Sequence, residues 1–113
     1  MAVSVIKDFY PGTTVNFKFT ISLNAVVQDI SSDTVTFRMK LKKNDTNANA
    51  VITASADVTT SGATGVAIFI LTPTTTNVQA AEYYCDVEWV TSAAAEHVIY
   101  DKTVTVLERV SDA

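Results

Sequence analysis

Val78-Gln79-Ala80-Ala81-Glu82-Tyr83-Tyr84-Cys85-Asp86-Val87-Glu88-Trp89-Val90 is the stretch that decides how the rest of the chain folds. From Tyr83 onward every second residue is bulky: Tyr83, Cys85, Val87 and Trp89. Tyr84, Asp86 and Glu88 stand between them. Successive side chains of a strand point to opposite faces, so this period of two predicts a half-buried strand. The first set faces a core and the second faces outward. A strand of this kind needs neighbours to satisfy its backbone, and the segments around it supply them.

Residues 14–23 carry the cleanest alternation, with Val15, Phe17, Phe19, Ile21 and Leu23 against Thr14, Asn16, Lys18, Thr20 and Ser22. Residues 34–42 repeat it: Val35, Phe37, Met39 and Leu41 inward, Thr36, Arg38, Lys40 and Lys42 outward. Both read as strands. Residues 3–7 form a short β-rich opening, read as an edge strand, before a turn at Tyr10-Pro11-Gly12. Residues 50–57 predict a weaker strand, because Ala and Ser bury little area. Gly62 and Gly65 mark a turn. Residues 66–71 are apolar on both faces, which predicts a strand covered on each side or lying at an interface. Thr76-Asn77-Val78-Gln79 has capping-box spacing and predicts one helical turn at the corner before the central strand. Residues 91–96 read as a small-residue hairpin loop. The last strand covers residues 97–107, with a bulge expected between His97 and Lys102, where the alternation loses phase. No sustained helical period occurs. Seven short strands separated by turn signals predict one all-β domain over residues 1–113, an antiparallel β-sandwich of about seven strands.

With 48% hydrophobic and 18% charged residues in 113, the chain has the makings of a packed core. Its net charge is −4, and no basic cluster exceeds Lys40, Lys42 and Lys43, so nucleic acid is not an expected partner. The apolar run 66–71 is too short to cross a bilayer, so no membrane contact is expected. Met1-Ala2-Val3-Ser4 lacks the basic start and apolar core of a secretory leader. A secretory route is therefore not expected unless a leader has been removed, and without secretion the glycosylation-acceptor match at Asn44-Asp45-Thr46 would carry no meaning. The lone Cys85 excludes an internal disulfide and, on the inward face, is expected to be inert. The lone His97 reads as a solvated edge residue, and one His with one Cys makes no zinc site in a monomer. The carboxylates, Asp29, Asp33, Asp45, Asp57, Glu82, Asp86, Glu88, Glu96 and Asp101 among them, follow no calcium-loop spacing. Neither a Gly-rich phosphate loop nor a nucleophile–base arrangement is present. The expectation is a chain without cofactor, metal or enzymatic activity.

The order of these blocks is familiar. Pro11-Gly12-Thr13-Thr14-Val15-Asn16-Phe17-Lys18-Phe19-Thr20 resembles the first long strand of the immunoglobulin-like N-terminal domain of baseplate upper proteins of tailed phages. In that family a Gly-Asp-Thr precedes alternating aromatics, and here Thr13 stands in the aspartate's place. Asp29 to Lys40 is similar to the family's second block, a turn feeding a Val-Thr-Phe strand (here Val35-Thr36-Phe37), with Ser32 in place of a glycine. Val78, Ala81, Tyr83, Asp86 and Val87 match a third block, Ala81 again replacing a glycine. Val104 through Asp112 looks like a shortened closing strand. A tyrosine two residues before a cysteine, Tyr83 and Cys85, also echoes the corner of an immunoglobulin-like sandwich. The resemblance spans nearly the whole chain in order. It implies an immunoglobulin-like antiparallel β-sandwich and a non-enzymatic role in a phage or prophage virion, in the tail, baseplate or head.

The outward stripe is the candidate site. In such a sandwich the central strand lies beside residues 34–42, so Tyr84, Asp86 and Glu88 should face Arg38, Lys40 and Lys42. Acidic side chains beside basic ones predict cross-strand pairs and a charged docking face with Tyr84 as its anchor. Phe69, in the doubly apolar run, is the second candidate for a contact surface. The partners this predicts are other virion proteins or further copies of the chain, in a virion or the host cytoplasm. The alternative is a small carbohydrate- or ligand-binding sandwich using Tyr10, Tyr84 or Tyr100.

Overall fold

The computed structural model describes residues 6–108, residue 45 excepted. Their strands are β1 (Val15–Thr20), β2 (Ser22–Leu23), β3 (Val26–Val27), β4 (Thr34–Lys40), β5 (Ile52–Ser55), β6 (Val66–Leu71), β7 (Ala81–Val90) and β8 (Glu96–Val106). Two short 3-10 turns, Asn47–Asn49 and Gly62–Thr64, complete the regular elements among these residues. One sheet has the order β5-β4-β7-β8, and β1 pairs with β6 in a second. All strand pairings are antiparallel. With β1 beside β6 and β4, β7 and β8 consecutive, the chain is an all-β sandwich of immunoglobulin-like plan.

The alternation that predicted the strands also builds the core. Tyr83, Cys85, Val87 and Trp89 of β7 are buried, and Val35, Phe37 and Met39 of β4 lie beside them. From the other sheet come Phe19, Ala67, Phe69 and Leu71. Phe17 stacks on Phe69 at 4.9 Å between ring centres and meets Phe19 and Phe37 edge-on. Burying such side chains contributes about 1.5–3 kcal/mol each, which is the main force holding the sheets together.

Both sides of the sandwich are tied. After β5 the chain leaves the four-stranded sheet: Ala56 N–H still donates to Val35 O, but Asp57 exchanges both backbone bonds with Ile68 of β6. On the opposite side Phe9 makes a parallel bridge to Val106, with Leu107 N–H donating to Phe9 O at 2.8 Å. The Tyr83 hydroxyl donates to Gln79 O at 2.6 Å, the tyrosine corner that the Tyr83/Cys85 spacing predicts.

Several local expectations are corrected. The strand expected over 14–23 is cut at the buried Ile21: its N–H still donates to Gly65 O in the β1–β6 register, but its carbonyl accepts from Gln28 N–H, and Gly65 N–H turns back to Gly62 O. Ser22 and Leu23 instead form a small ribbon with Val26 and Val27. Its turn puts both Asn24 and Ala25 at positive φ, 51° and 64°, the geometry of a tight hairpin usually given to glycine. β4 stops at Lys40, so Leu41 is exposed and not inward. No helix forms at residues 76–79; Thr76 is instead fully buried and its hydroxyl donates to Thr13 O at 2.5 Å, pinning this corner to the turn before β1. The bulge in β8 is present where the phase failed, with Ile99 and Tyr100 both buried. Of the edge strand expected over 3–7, residues 3–5 lie outside the described residues, as do the end of the closing block and residue 45 of the glycosylation match; Ile6 and Lys7 are not in a strand.

Candidate docking face

β4, β7 and β8 run in register across the outer side of the four-stranded sheet. Thr36 lies opposite Glu88, Arg38 opposite Asp86, and Lys40 opposite Tyr84. On the other flank of β7, Asp86 lies opposite Asp101, Tyr84 opposite Thr103, and Glu88 opposite Val98. The expected meeting of the two stripes therefore takes place, with Lys42 beyond the end of β4. Its ion pair is diagonal: Arg38 Nη1 lies 3.3 Å from Glu88 Oε1. At partial exposure such a pair contributes about 0.2–1 kcal/mol. Lys40 Nζ donates to Asn47 Oδ1 at 2.8 Å, which joins β4 to the following loop.

Charge is divided across this face. β4 contributes the basic side chains Arg38 and Lys40, whereas β7 and β8 contribute Glu82, Asp86, Glu88, Glu96 and Asp101. Between the halves is a depression of about 190 Å³ whose walls include Arg38, Lys40, Tyr84, Asp86, Val98 and Asp101. Tyr84 is 37% exposed and Val98 61%, giving the rim an aromatic and an aliphatic contact. At its base, burial holds the Asp86 carboxyl above the ordinary carboxylate range; Lys40 and Arg38 oppose that effect, and Glu88 and Asp101 add to it. The Asp86 Oδ1 atom is buried and has no hydrogen-bond partner among the described residues.

Phe69 does not belong to this or any other surface. It is 1% exposed and sits among Phe17, Phe19 and Phe37, because the β1–β6 register sets it opposite Phe17 on the core side. Its neighbour Ile70 takes the outward position, 66% exposed. The doubly apolar run thus has one covered face and one that is partly open.

The other singled-out residues fall elsewhere. The Cys85 thiol, beneath the face, is pushed up to about 12 by burial with the Asp86 charge adding to it, so it is a poor nucleophile. Tyr100 is buried, and its hydroxyl accepts from Ile6 N–H at 3.3 Å. Tyr10 is exposed beside an open cleft of about 530 Å³ between residues 6–10 and β1. His97 is on the edge strand as expected but is half-buried, its ring stacked on Trp89 at 4.8 Å. Sequence reasoning missed Asp33, which accepts from Trp89 Nε1–H at 2.8 Å and from Ser92 N–H at 2.9 Å, clamping the β7–β8 hairpin to the start of β4. Among the described residues no group of His, Cys, Asp and Glu converges as a metal site would require, and no helix is long and apolar enough to cross a membrane.

No family model matches the chain, and no curated protein is a detectable relative.

Proposed function

We propose that this chain is a non-enzymatic structural and docking component of a phage or prophage virion, in its tail, baseplate or head, and that it acts through the outer face of the four-stranded sheet. The observation that supports this most is the division of charge across that face, basic on β4 and acidic on β7 and β8, around the exposed ring of Tyr84. Complementary charge steers a partner and fixes its register, and an aromatic anchor supplies apolar contact. The virion role is supported by the ordered sequence blocks from Pro11 to Asp112. The test is titration of the purified chain against virion proteins encoded beside it. Tyr84→Ala and Arg38→Glu should each weaken binding at least about tenfold, the scale of an interface anchor. Absence of binding, or binding indifferent to both variants, rejects the reading.

One observation favours a second reading. The cleft beside Tyr10 has a volume within the usual range for small-ligand sites and carries Asp8, Asn16 and Lys18 as polar groups. Saturable binding of an oligosaccharide that Tyr10→Ala abolishes would establish a carbohydrate-binding module instead.

A further inference from the structure

The identity of the docking face's occupant can be taken further, on the reading of that face given above. We infer that it is a second copy of this chain, laid face to face about a two-fold axis that runs along the strands between β4 and β7.

A symmetric dimer needs a surface complementary to itself, and a patch of one sign cannot meet that condition. This face can. Its basic side chains stand on β4, and its acidic ones on β7 and β8. A half-turn about an axis between β4 and β7 exchanges these two sides, so the basic column of each copy comes to lie over the β7 column of the other, with the β8 column next to it and over β5. The register makes the match row by row. Arg38 and Asp86 are directly opposed within one copy, as are Lys40 and Tyr84. The rotation therefore carries Arg38 over Asp86 of the second copy, and Lys40 over its Tyr84 ring, a cation–π arrangement. Asp86 and Asp101, like charges set opposite each other across β7 and β8, weaken an isolated sheet. Beneath the Arg38 of a second copy the same pair becomes favourable.

The size of the face sets the strength. Seven residues of β4 at ~3.3 Å each, across four strands ~4.8 Å apart, give a footprint on the order of 400 Å² per copy. A stable interface buries about 800 Å² per partner. The dimer is therefore weak and reversible.

Salt separates this association from any other. Each copy carries a net charge of −4, so two copies repel at long range, and an association through apolar surface tightens as salt screens that repulsion. A dimer built on opposed charges loosens instead. Sedimentation equilibrium of the chain at about 10 µM to 1 mM, a range suited to an interface below standard size, at low and high sodium chloride, reads the sign. The expected result is a dimer that dissociates with salt. Arg38→Glu and Asp101→Lys, each checked for an unchanged fold by circular dichroism, should each raise its dissociation constant at least about tenfold. An equimolar mixture of the two should associate again, because each reversed charge then meets the other. A dimer that tightens with salt, or that ignores both reversals, overturns the inference. So does a chain that stays monomeric throughout. If that monomer still binds a virion protein through Tyr84, the docking face stands and only the second copy is lost.

Discussion

On one outer face of the sandwich, β4, β7 and β8 set Arg38 and Lys40 beside Tyr84, Asp86, Glu88 and Asp101. On the other, β1 and β6 set Asn16, Lys18 and Thr20 beside Val66, Ile68 and Ile70. Both faces have two unlike columns, yet they differ in kind. The first pairs opposite charges, and its Arg38–Glu88 contact crosses from strand to strand. The second pairs polar with aliphatic residues, which have no specific interaction to make. Of its aliphatics, Ile70 is open to solvent, whereas Ile68, bridged by Asp57, is half covered. Isolated exposed aliphatics are ordinary on a folded protein, and β-branched ones suit a pleated strand. Composition alone would point to the aliphatic face as the sticky one; arrangement is the reason we propose the charged face instead.

That contrast requires the inside to matter far more than either outside. Phe19→Ala and Val87→Ala, which empty fully buried positions on the two sheets, should each cost about 2–5 kcal/mol in denaturant unfolding. Thr20→Ala, Glu88→Ala and Ile70→Ala should stay within about 0.5–1 kcal/mol. An Ile70→Ala loss as large as that of Val87→Ala would show the aliphatic face to be covered, and the comparison would fail.

The aliphatic side depends on backbone more than on its surface. Gly65, just before β6, has a φ of 80°, and a Cβ there would lie 2.6 Å from Val27 Cγ1 and 2.9 Å from Ile21 O. Gly65→Ala should lower stability by about 1–3 kcal/mol and loosen the β2–β3 ribbon, seen as faster amide exchange at Gln28. Unchanged stability would mean that the ribbon moves aside at no cost.

The charged side should respond more weakly. A double-mutant cycle on Arg38 and Glu88 should give a coupling of about 0.2–1 kcal/mol that shrinks with salt. Zero coupling at low salt would leave that face as unorganised as the other. Asp86 sharpens the point through pH. Its raised value means the folded state holds the proton more tightly than the unfolded chain does. The parent is therefore favoured below the unfolded carboxyl's range, and it loses that advantage as pH rises through the folded value. Asp86→Asn should melt higher than the parent at pH 7, with the gap closing near pH 3. A variant that melts lower at pH 7 would show the flanking cations outweighing burial. The smallest effect belongs to Cys85, on the inner side of the same strand, which should not react with a disulfide reagent until the protein unfolds.

The strands that mix polar and apolar residues could be read directly. Alternation gave the faces of β4 and β7 because Arg38, Lys40, Asp86 and Glu88 cannot be mistaken for core. It could not assign Phe69, because Val66 to Leu71 offers apolar residues at both parities, and only pairing with β1 decides between them. The ribbon of Val26 and Val27 was hidden for another reason. Its turn uses Asn24 and Ala25 at positive φ, where the residue expected to mark such a turn is glycine. Thr76 and Asp33 were invisible because their partners, Thr13 and Trp89, are distant in sequence. Of the candidate face, the sequence disclosed the strands and the signs of charge. The depression and the diagonal ion pair depend on side-chain positions that only the folded sheet sets.

The clamp at Asp33 also has an experimental use. Trp89 is the one tryptophan in the chain, so all indole emission comes from a single ring. That ring is 2% exposed, hydrogen-bonded to a carboxylate and stacked on the imidazole of His97. Its fluorescence is an optical gauge of one end of the molecule, where the β7–β8 hairpin meets the start of β4. Opening of that end shifts the emission toward longer wavelength before the distant tyrosine corner need move. Circular dichroism follows all the strands together. A lag between the two signals during unfolding would measure how far the sandwich comes apart piece by piece.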